Sequence, residues 1–260
     1  MPSRSSSPQS QSGPSASPDR RSPARRSSAR ARGFSPGPPR GRADLPFASE
    51  LARLPAHRLA PEGDYELVVL GGAGEGESGA IDDPDARGAR FLECAFDSTD
   101  VDGGRLRGSR FNDVWLGEAR WVGTDLSESS WLDCEFNGGL LAGAAMYGAR
   151  MQRVVFHRCK LDAVNLRQAG LREVVFADCV LREVDLREAR LERVSFPGST
   201  LEAVRLAGIR AERLDLRGVR GLGIADGLES LRGAVVSPAQ LIDLAPALAE
   251  ALGITVEEAP

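Results

Sequence analysis

The sequence has little of several residue types, and each shortage excludes a class of protein. Only Lys160 of its 33 basic residues is a lysine, and the chain has two histidines and four cysteines. Four cysteines in 260 residues are too few for a disulfide scaffold, and none shows the C-x-x-C spacing of a metal site. We therefore expect no metal and no cofactor.

Long apolar runs are also missing. No stretch of eighteen apolar residues occurs, so we expect no transmembrane helix. The first residues include arginines but no apolar segment, which argues against a secretory signal and for a cytoplasmic protein. The net charge of −4 gives the whole chain no strong attraction to nucleic acid or to anionic membranes.

Residues 1–43 form a basic tail rich in Ser, Pro and Arg. They contain nine arginines and a single acid, Asp19. The tail has too few apolar residues to offset the entropy of ordering, so we expect disorder. Two interpretations remain open: a solvated tail with no specific function, or a tail that binds nucleic acid or acidic surfaces.

Residues 44–80 are expected to hold an N-terminal cap and the first strands. An apolar helical pattern covers Phe47–Leu54, and "YELVVL" at 65–70 is typical of a strand. Gly74, Gly76 and Gly79 then spell G-x-G-x-x-G, but no helical pattern follows and two glutamates lie inside the motif. Because a dinucleotide site needs that helix for the pyrophosphate, we reject nucleotide binding.

From Phe91 the apolar residues recur every five positions. The central residues of these pentapeptides are all apolar: Phe91, Phe96, Val101, Leu106, Phe111, Leu116, Trp121, Leu126, Trp131, Phe136, Leu141, Met146, Met151, Phe156, Leu161, Leu166, Leu171, Phe176, Leu181, Leu186, Leu191, Phe196, Leu201, Leu206, Ala211 and Leu216. The positions two residues earlier are nearly all small, and neither set contains a charge. Two positions in five therefore face a core and three face solvent.

A five-residue unit cannot bury its inward residues alone, so it must stack on copies of itself. Four short sides close a square coil of twenty residues, and stacked coils pair as parallel strands about 4.8 Å apart. Seven central residues twenty apart then form an aromatic-rich ladder: Phe96, Leu116, Phe136, Phe156, Phe176, Phe196 and Leu216. The pattern predicts an all-β solenoid over residues 81–219.

These residues resemble the pentapeptide-repeat family, whose consensus is A-(D/N)-L-x-x. The matches include "TDL" at 124–126, "VNL" at 164–166, "VDL" at 184–186 and "LDL" at 214–216. The resemblance implies a right-handed quadrilateral parallel β-helix. This sequence departs from the consensus in placing Val or Cys at many of the Ala positions and Arg at many of the Asp/Asn positions.

The same register assigns the cysteines to the core. Cys94, Cys134, Cys159 and Cys179 all occupy the small inward position, where a thiol behaves as a small hydrophobe. Cys159 and Cys179 are one coil apart, but stacked side chains point the same way, which is poor geometry for a disulfide. We expect reduced thiols, and we expect His157 on the outer surface.

Residues 220–260 are expected to form a C-terminal cap with a helix at 238–252. Ser237 is a suitable N-cap, Pro238 suits the first helical position, and Gln240 completes a capping box. Leu241, Leu244, Leu248 and Leu252 give the helix an apolar stripe, and Pro246 predicts a kink or two short helices. The helix can cap the coil end, and the resemblance implies that it can also mediate a homodimer.

The convex wall offers no concave pocket for catalysis, so we expect a non-enzymatic scaffold that binds a protein. We predict an exposed apolar patch at one coil corner, formed by Leu92, Trp115, Leu132, Val155 and Val175. Scattered, unrelated surface hydrophobes are the alternative interpretation of these residues.

The resemblance also implies a second function, because some family members imitate DNA and bind DNA gyrase, protecting it from quinolones. The acids for such a surface would be Asp97, Asp100, Asp102, Asp113 and Glu118. Residues 91–135 have ten acids against four arginines, whereas residues 150–217 have fourteen basic residues against ten acids. The rod is therefore not uniformly acidic, which counts against DNA mimicry.

Overall fold

The computed structural model describes residues 37–72 and 79–257, which wind into stacked four-sided coils. Two adjacent sides share one parallel sheet. The side that we call the open face is built from Asp64–Glu66, Arg90–Leu92, Arg110–Asn112, Ser130–Leu132, Arg190–Glu192 and Arg210–Glu212. The next side, the covered face, contains Ala52–Arg53, Val68–Gly71, Ala95–Asp97, Trp115–Gly117, Glu135–Asn137, Leu214–Asp215 and Ala234–Val235. Two longer strands, Arg150–His157 and Gly170–Ala177, run through both faces.

The remaining two sides complete the square. The third face is a parallel sheet of Ala80–Asp82, Asp100–Asp102, Arg120–Val122, Leu140–Ala142, Lys160–Asp162, Val180–Arg182, Thr200–Arg205 and Gly221–Asp226. The fourth face is linked by single bridges between residues twenty apart, such as Asp125 with Ala145. The predicted parallel β-solenoid is confirmed, and it has about nine coils.

The coil extends beyond the predicted limits of 81 and 219 at both ends. It begins with Ala52, which pairs with Val68, and it ends with Val235, which pairs with Asp215. The period of twenty fails in both places. Tyr65 pairs with Phe91, 26 residues on, because the chain between Gly71 and Ala80 is six residues longer than at the same corner of the next coil. Near the C-terminal end, the pairing of Thr200–Arg205 with Gly221–Asp226 contains register shifts.

The corners of the regular coils use left-handed backbone. The residue two positions after each central residue from Phe91 to Ala211 has a positive φ, whether it is Gly108 at 71° or Ala163 at 51°. In consensus units the Asp or Asn before the central residue supports this turn. The Asn165 Oδ1 atom accepts the Arg167 N–H at 3.1 Å, and Asp185 does the same for Arg187 at 3.1 Å.

The core is filled by side chains stacked coil upon coil. On the covered face the rings of Phe136, Phe156, Phe176 and Phe196 stack with centroid separations of 4.4, 4.7 and 5.1 Å, which confirms the predicted aromatic ladder. The open face has a second ladder of Tyr65, Phe91, Phe111 and Trp131. Stacked rings of this kind bury large apolar areas and fix the register of the coils.

Several expectations for the N-terminal region are corrected. Phe47–Leu54 contains no α-helix; turns occupy 46–50, and they follow a short 3-10 helix at Arg42–Asp44. "YELVVL" is two strands, because Leu67 adopts a φ of 53° and forms a corner between them. A second 3-10 turn covers Ala56–Arg58. Gly79 leads directly into a strand, so the helix that a nucleotide site needs is absent there.

Two sequence features fall outside the described residues. They are the first 36 residues of the predicted basic tail, and Gly74 and Gly76 of the glycine motif.

The C-terminal helix runs over Pro238–Ala251, preceded by a 3-10 turn at Leu228–Ser230. Its predicted start is confirmed: the Ser237 side chain accepts the Gln240 N–H, and the Gln240 side chain accepts the Ser237 N–H. The Gln240 amide also donates to the carbonyl oxygens of Leu216 and Val219, at 2.7 and 3.2 Å. The helix is continuous through Pro246, so the expectation of two short helices is wrong.

Candidate interaction surfaces on the coil wall

The predicted apolar patch does not exist as an exposed surface. Trp115, Val155 and Val175 point outward on the covered face, yet they are only 6%, 8% and 2% exposed. Leu92 is 38% exposed and Leu132 is half-buried, and both lie on the open face. Sequence periodicity identified the outward direction correctly, but it gave no sign that another part of the chain covers one side.

That cover includes residues 37–51, which we call the strap. Leu45 and Phe47 of the strap form a small apolar cluster with Ala95 and Trp115 of the covered face. The Trp115 indole N–H donates to the Arg40 carbonyl at 3.0 Å. The Arg40 backbone and guanidinium both donate to the Glu135 carboxylate, at 2.8 and 2.7 Å. Apolar contact and an ion pair between exposed Arg40 and buried Glu135 therefore hold the strap against the wall.

His157 is buried as well, at 7% exposure, which corrects the expectation of a surface histidine. Burial lowers the pKa of its imidazole, because removal from water disfavours the charged form. The nearby Glu135 carboxylate opposes this shift. The Cys159 thiol donates to the backbone carbonyl of His157 at 3.3 Å, so this contact does not involve the imidazole.

The cysteines are core residues, as predicted. All four are free and buried. Burial raises the pKa of the Cys94 thiol to about 11 and that of Cys134 to about 12, so neither carries a reactive thiolate at neutral pH. Within residues 37–72 and 79–257, no group of His, Cys, Asp or Glu side chains is arranged to hold a metal ion. None of the helices in that part of the chain is long and apolar enough to cross a membrane.

The wall acids are largely occupied by arginines one coil away. Asp100 pairs with Arg120 at 2.6 Å, and Asp133 accepts a bidentate pair from Arg153 at 2.6 and 2.7 Å. The same one-coil spacing joins Asp162 to Arg182 and Glu173 to Arg193. A period of twenty therefore arranges opposite charges into rungs that neutralise each other.

The five acids predicted for a DNA-like surface do not form one cluster. Asp97 ends a strand of the covered face and pairs with Arg42 of the strap. Asp100 and Asp102 lie on the third face, while Asp113 and Glu118 occupy corners with positive φ. The acids thus point in different directions around the rod.

The open face has a feature that the sequence reading missed. Its outward position just before the central residue carries an arginine in five of eight coils, and all five are exposed: Arg90, Arg110, Arg150, Arg190 and Arg210. Strand pairing places these residues in one column, which we call the arginine ladder. The signal was present in the sequence as an arginine repeated at multiples of twenty.

The C-terminal end has exposed apolar side chains of its own. Of the predicted stripe, Leu244 is buried and Leu248 is half-buried, whereas Leu241 and Leu252 are 52% and 69% exposed. Ile242, the residue after Leu241, is 74% exposed. The following segment exposes Ile254 and Val256 too.

This architecture defines a class: a parallel β-solenoid built from five-residue units around four sides. Residues 149–222 match the family model described as the pentapeptide repeat region. Over these residues the chain is similar to the pentapeptide-repeat family, and the resemblance inferred from its sequence is confirmed there. No curated protein matches it.

The solved structures that match the chain share little sequence with it. QnrB1, a plasmid-mediated fluoroquinolone resistance protein, is 16% identical; the match covers 75% of this chain and 100% of that one, with a TM-score of 0.34. A pentapeptide repeat protein from the Arabidopsis thaliana thylakoid lumen is 20% identical over 48% of this chain and 73% of that one, with a TM-score of 0.30. HetL, involved in heterocyst differentiation regulation in the cyanobacterium Nostoc, is 17% identical over 68% and 90%, with a TM-score of 0.21.

Proposed function

We propose that the protein is a non-enzymatic scaffold for protein–protein interaction, and that one of its partners is a second copy of itself. The observation that carries this proposal is the exposed apolar surface at the C-terminal end, formed by Leu241, Ile242, Leu252, Ile254 and Val256. Contiguous exposed apolar groups commonly mark contacts with other proteins.

The helix carries more apolar surface than the coil end covers, so a cap alone does not account for its sequence. Leu244 is buried and Leu248 is half-buried, whereas the exposed Asp243 and Glu250 lie on the opposite, polar side. Leu241 and Leu252 belong to the same apolar stripe as Leu248 but are exposed, and Ile242 beside the stripe is exposed as well. A second copy would present the same surface, so a two-fold symmetric contact would bury both.

Light scattering of the full chain at micromolar concentration tests the self-association. We expect a dimer, and we expect Ile242→Glu to shift the mass to that of a monomer. Ala239→Glu is the matched control, since Ala239 is exposed on the polar side of the same helix. A monomeric wild-type chain, or equal masses for the two variants, would contradict the dimer.

A second candidate function is binding to DNA gyrase, favoured by the acids of the early coils. Asp100, Asp102, Asp113 and Glu118 are exposed. Their spread over several faces and the pairing of Asp100 with Arg120 count against a continuous DNA-like surface. A gyrase supercoiling assay tests the idea: inhibition or quinolone protection that Asp102→Asn and Glu118→Gln weaken would support it, and no effect at micromolar protein would remove it.

A further inference from the structure

The arginine ladder alternates large and small residues over its central five coils. On successive strands the outward position is occupied by Arg110, Ser130, Arg150, Gly170 and Arg190, and each of these residues pairs with the next one. Within the described residues, none of the five ladder arginines makes a side-chain hydrogen bond or an ion pair. Arginines are direct neighbours only at the two ends of the ladder, where Arg90 pairs with Arg110 and Arg190 with Arg210, and like charges placed in this way destabilise a sheet. The ladder therefore has no evident role in folding.

The small residues open a groove along the ladder. Ser130, Arg150, Gly170, Arg190 and Arg210 line a surface depression of about 1010 Å³. Gly170 has no positive φ, and a Cβ placed on it would meet no atom within 4 Å. Neither the backbone conformation nor the packing therefore requires glycine here, and its effect is to leave space between Arg150 and Arg190.

The edges of the groove carry acids that are already paired. Glu128 binds Arg107 at 2.6 Å, and Glu192 binds Arg193 at 2.7 Å. Glu188 accepts the Gln168 amide at 2.7 Å. The unpaired charge of the groove is therefore positive and confined to the ladder, while its two edges are polar, with half-buried Leu132 beside them.

We propose that the groove binds an extended acidic segment of a partner protein, lying along the coil axis with carboxylates on the arginines. This rests on the proposed scaffold function, for which it names a partner class. Strands are about 4.8 Å apart, so Arg150 and Arg190, which line the groove on either side of Gly170, are separated by about 9.6 Å. A polyproline II segment rises about 3.1 Å per residue with three residues per turn, so an acid at every third position repeats at about 9.3 Å. Arginine binds carboxylates with two parallel hydrogen bonds, which favours this pairing.

A nucleic acid fits the same groove less well. Its phosphates are continuous, so they would approach Glu128, Glu188 and Glu192 at the groove edges. Single strands are commonly held by exposed aromatic rings, and the aromatic residue of the groove lining, Trp131, is buried. A peptide can place its acids on the ladder and leave uncharged residues opposite the glutamates.

Fluorescence anisotropy with two labelled peptides tests the proposal on the full chain. One peptide has the sequence EPPEPPEPPE, and the other has the same composition with its four glutamates contiguous. We expect the spaced peptide to bind more tightly, and we expect Arg150→Gln and Arg190→Gln each to weaken it about three- to tenfold. Gly170→Gln should weaken it also, because the new side chain fills the groove. Lys160→Gln removes one charge from the outward position of the third face and should change nothing.

Three outcomes would overturn the proposal. They are equal binding of the two peptides, an equal loss in Lys160→Gln and Arg150→Gln, and stronger ladder-dependent binding of a labelled oligonucleotide than of the spaced peptide. Circular dichroism of each variant verifies that the coil remains folded. A dimer that Ile242→Glu disrupts, combined with no peptide binding, would overturn the groove ligand while leaving the scaffold function intact.

Discussion

The open face and the covered face belong to the same sheet, yet their outer surfaces differ completely. Both have an aromatic ladder inside, Tyr65 to Trp131 under one and Phe136 to Phe196 under the other. Outside, the open face carries five exposed arginines, whereas the covered face carries buried Trp115, Val155 and Val175. The inward positions of a five-residue repeat determine the fold, and the outward positions are free to specify what each side contacts.

The difference also separates two kinds of outward residue. Those of the covered face contribute to the stability of this chain, because the strap adds buried apolar area and the ion pair of Arg40 with Glu135. The ladder arginines make no side-chain hydrogen bond or ion pair within the described residues. Outward substitutions should therefore lower the free energy of unfolding on the covered face and leave it nearly unchanged on the open face. Interior substitutions should lower it to a similar extent under both faces.

The largest effect is expected in the interior, where the two faces should behave alike. Phe156 and Phe111 are fully buried and stacked between rings of neighbouring coils. Phe156→Ala and Phe111→Ala should each lower the free energy of unfolding by about 3–5 kcal/mol. Urea denaturation followed by circular dichroism measures both. A loss below about 1 kcal/mol at either site would show that its ladder is not packed as described.

Removal of the strap anchor should come second. Trp115→Ala deletes a buried ring and its hydrogen bond to Arg40, and we expect a loss of about 2–4 kcal/mol together with faster protease cleavage within residues 37–51. Arg150→Gln, an outward change on the open face, should alter stability by less than about 0.5 kcal/mol. Comparable losses in the two variants would remove the distinction between the faces.

Breaking an ion pair at the corner between the two faces should change the free energy of unfolding by a smaller amount. Arg153 and Asp133 form a bidentate, partly exposed pair across adjacent coils. A double-mutant cycle with Arg153→Gln and Asp133→Asn should yield a coupling of about 0.5–1 kcal/mol that diminishes at high salt. Coupling that is zero at low salt would contradict the one-coil pairing of charges.

The smallest expected effect is a change in the free energy of unfolding with pH, caused by His157 on the covered face. Burial lowers the pKa of His157, so the unfolded chain binds a proton more readily than the folded one. The contribution of His157 to stability is complete above its unfolded pKa of about 6.5 and is lost as the pH falls toward its folded value. The wild type should therefore lose more stability than His157→Gln between pH 7.5 and pH 5.5, as measured by urea midpoints. Identical losses would indicate an exposed imidazole.

The repeat made the interior predictable in advance. The central positions from Phe91 to Leu216 carry no charge, and the positions two residues earlier, such as Cys94 and Cys159, are small; this pattern fits a stacked coil. The start of the C-terminal helix was predictable from the local capping box at Ser237. The coil limits were missed because the insertion before Ala80 and the register shifts near Ile224 interrupt the period.

The outer surface was less predictable because it depends on contacts distant in sequence. Trp115 is covered by residues about 70 positions earlier, and no local pattern near Trp115 signals this. The sequence predicts a strand interior at Leu67, because leucine rarely adopts a left-handed conformation. The coil imposes a corner there, with a φ of 53°. The arginine ladder becomes apparent only when the sequence is arranged by twenties.

The most direct test of the central claim uses introduced cysteines, because the four native thiols are buried and should not react. Arg90 and Ala95 are outward residues of the same coil, one on the open face and one beneath the strap. Reaction of single variants with a thiol reagent under native conditions should label Arg90→Cys at least about a hundredfold faster than Ala95→Cys, because the latter needs local opening of the strap. Equal labelling rates in two folded variants would contradict the account.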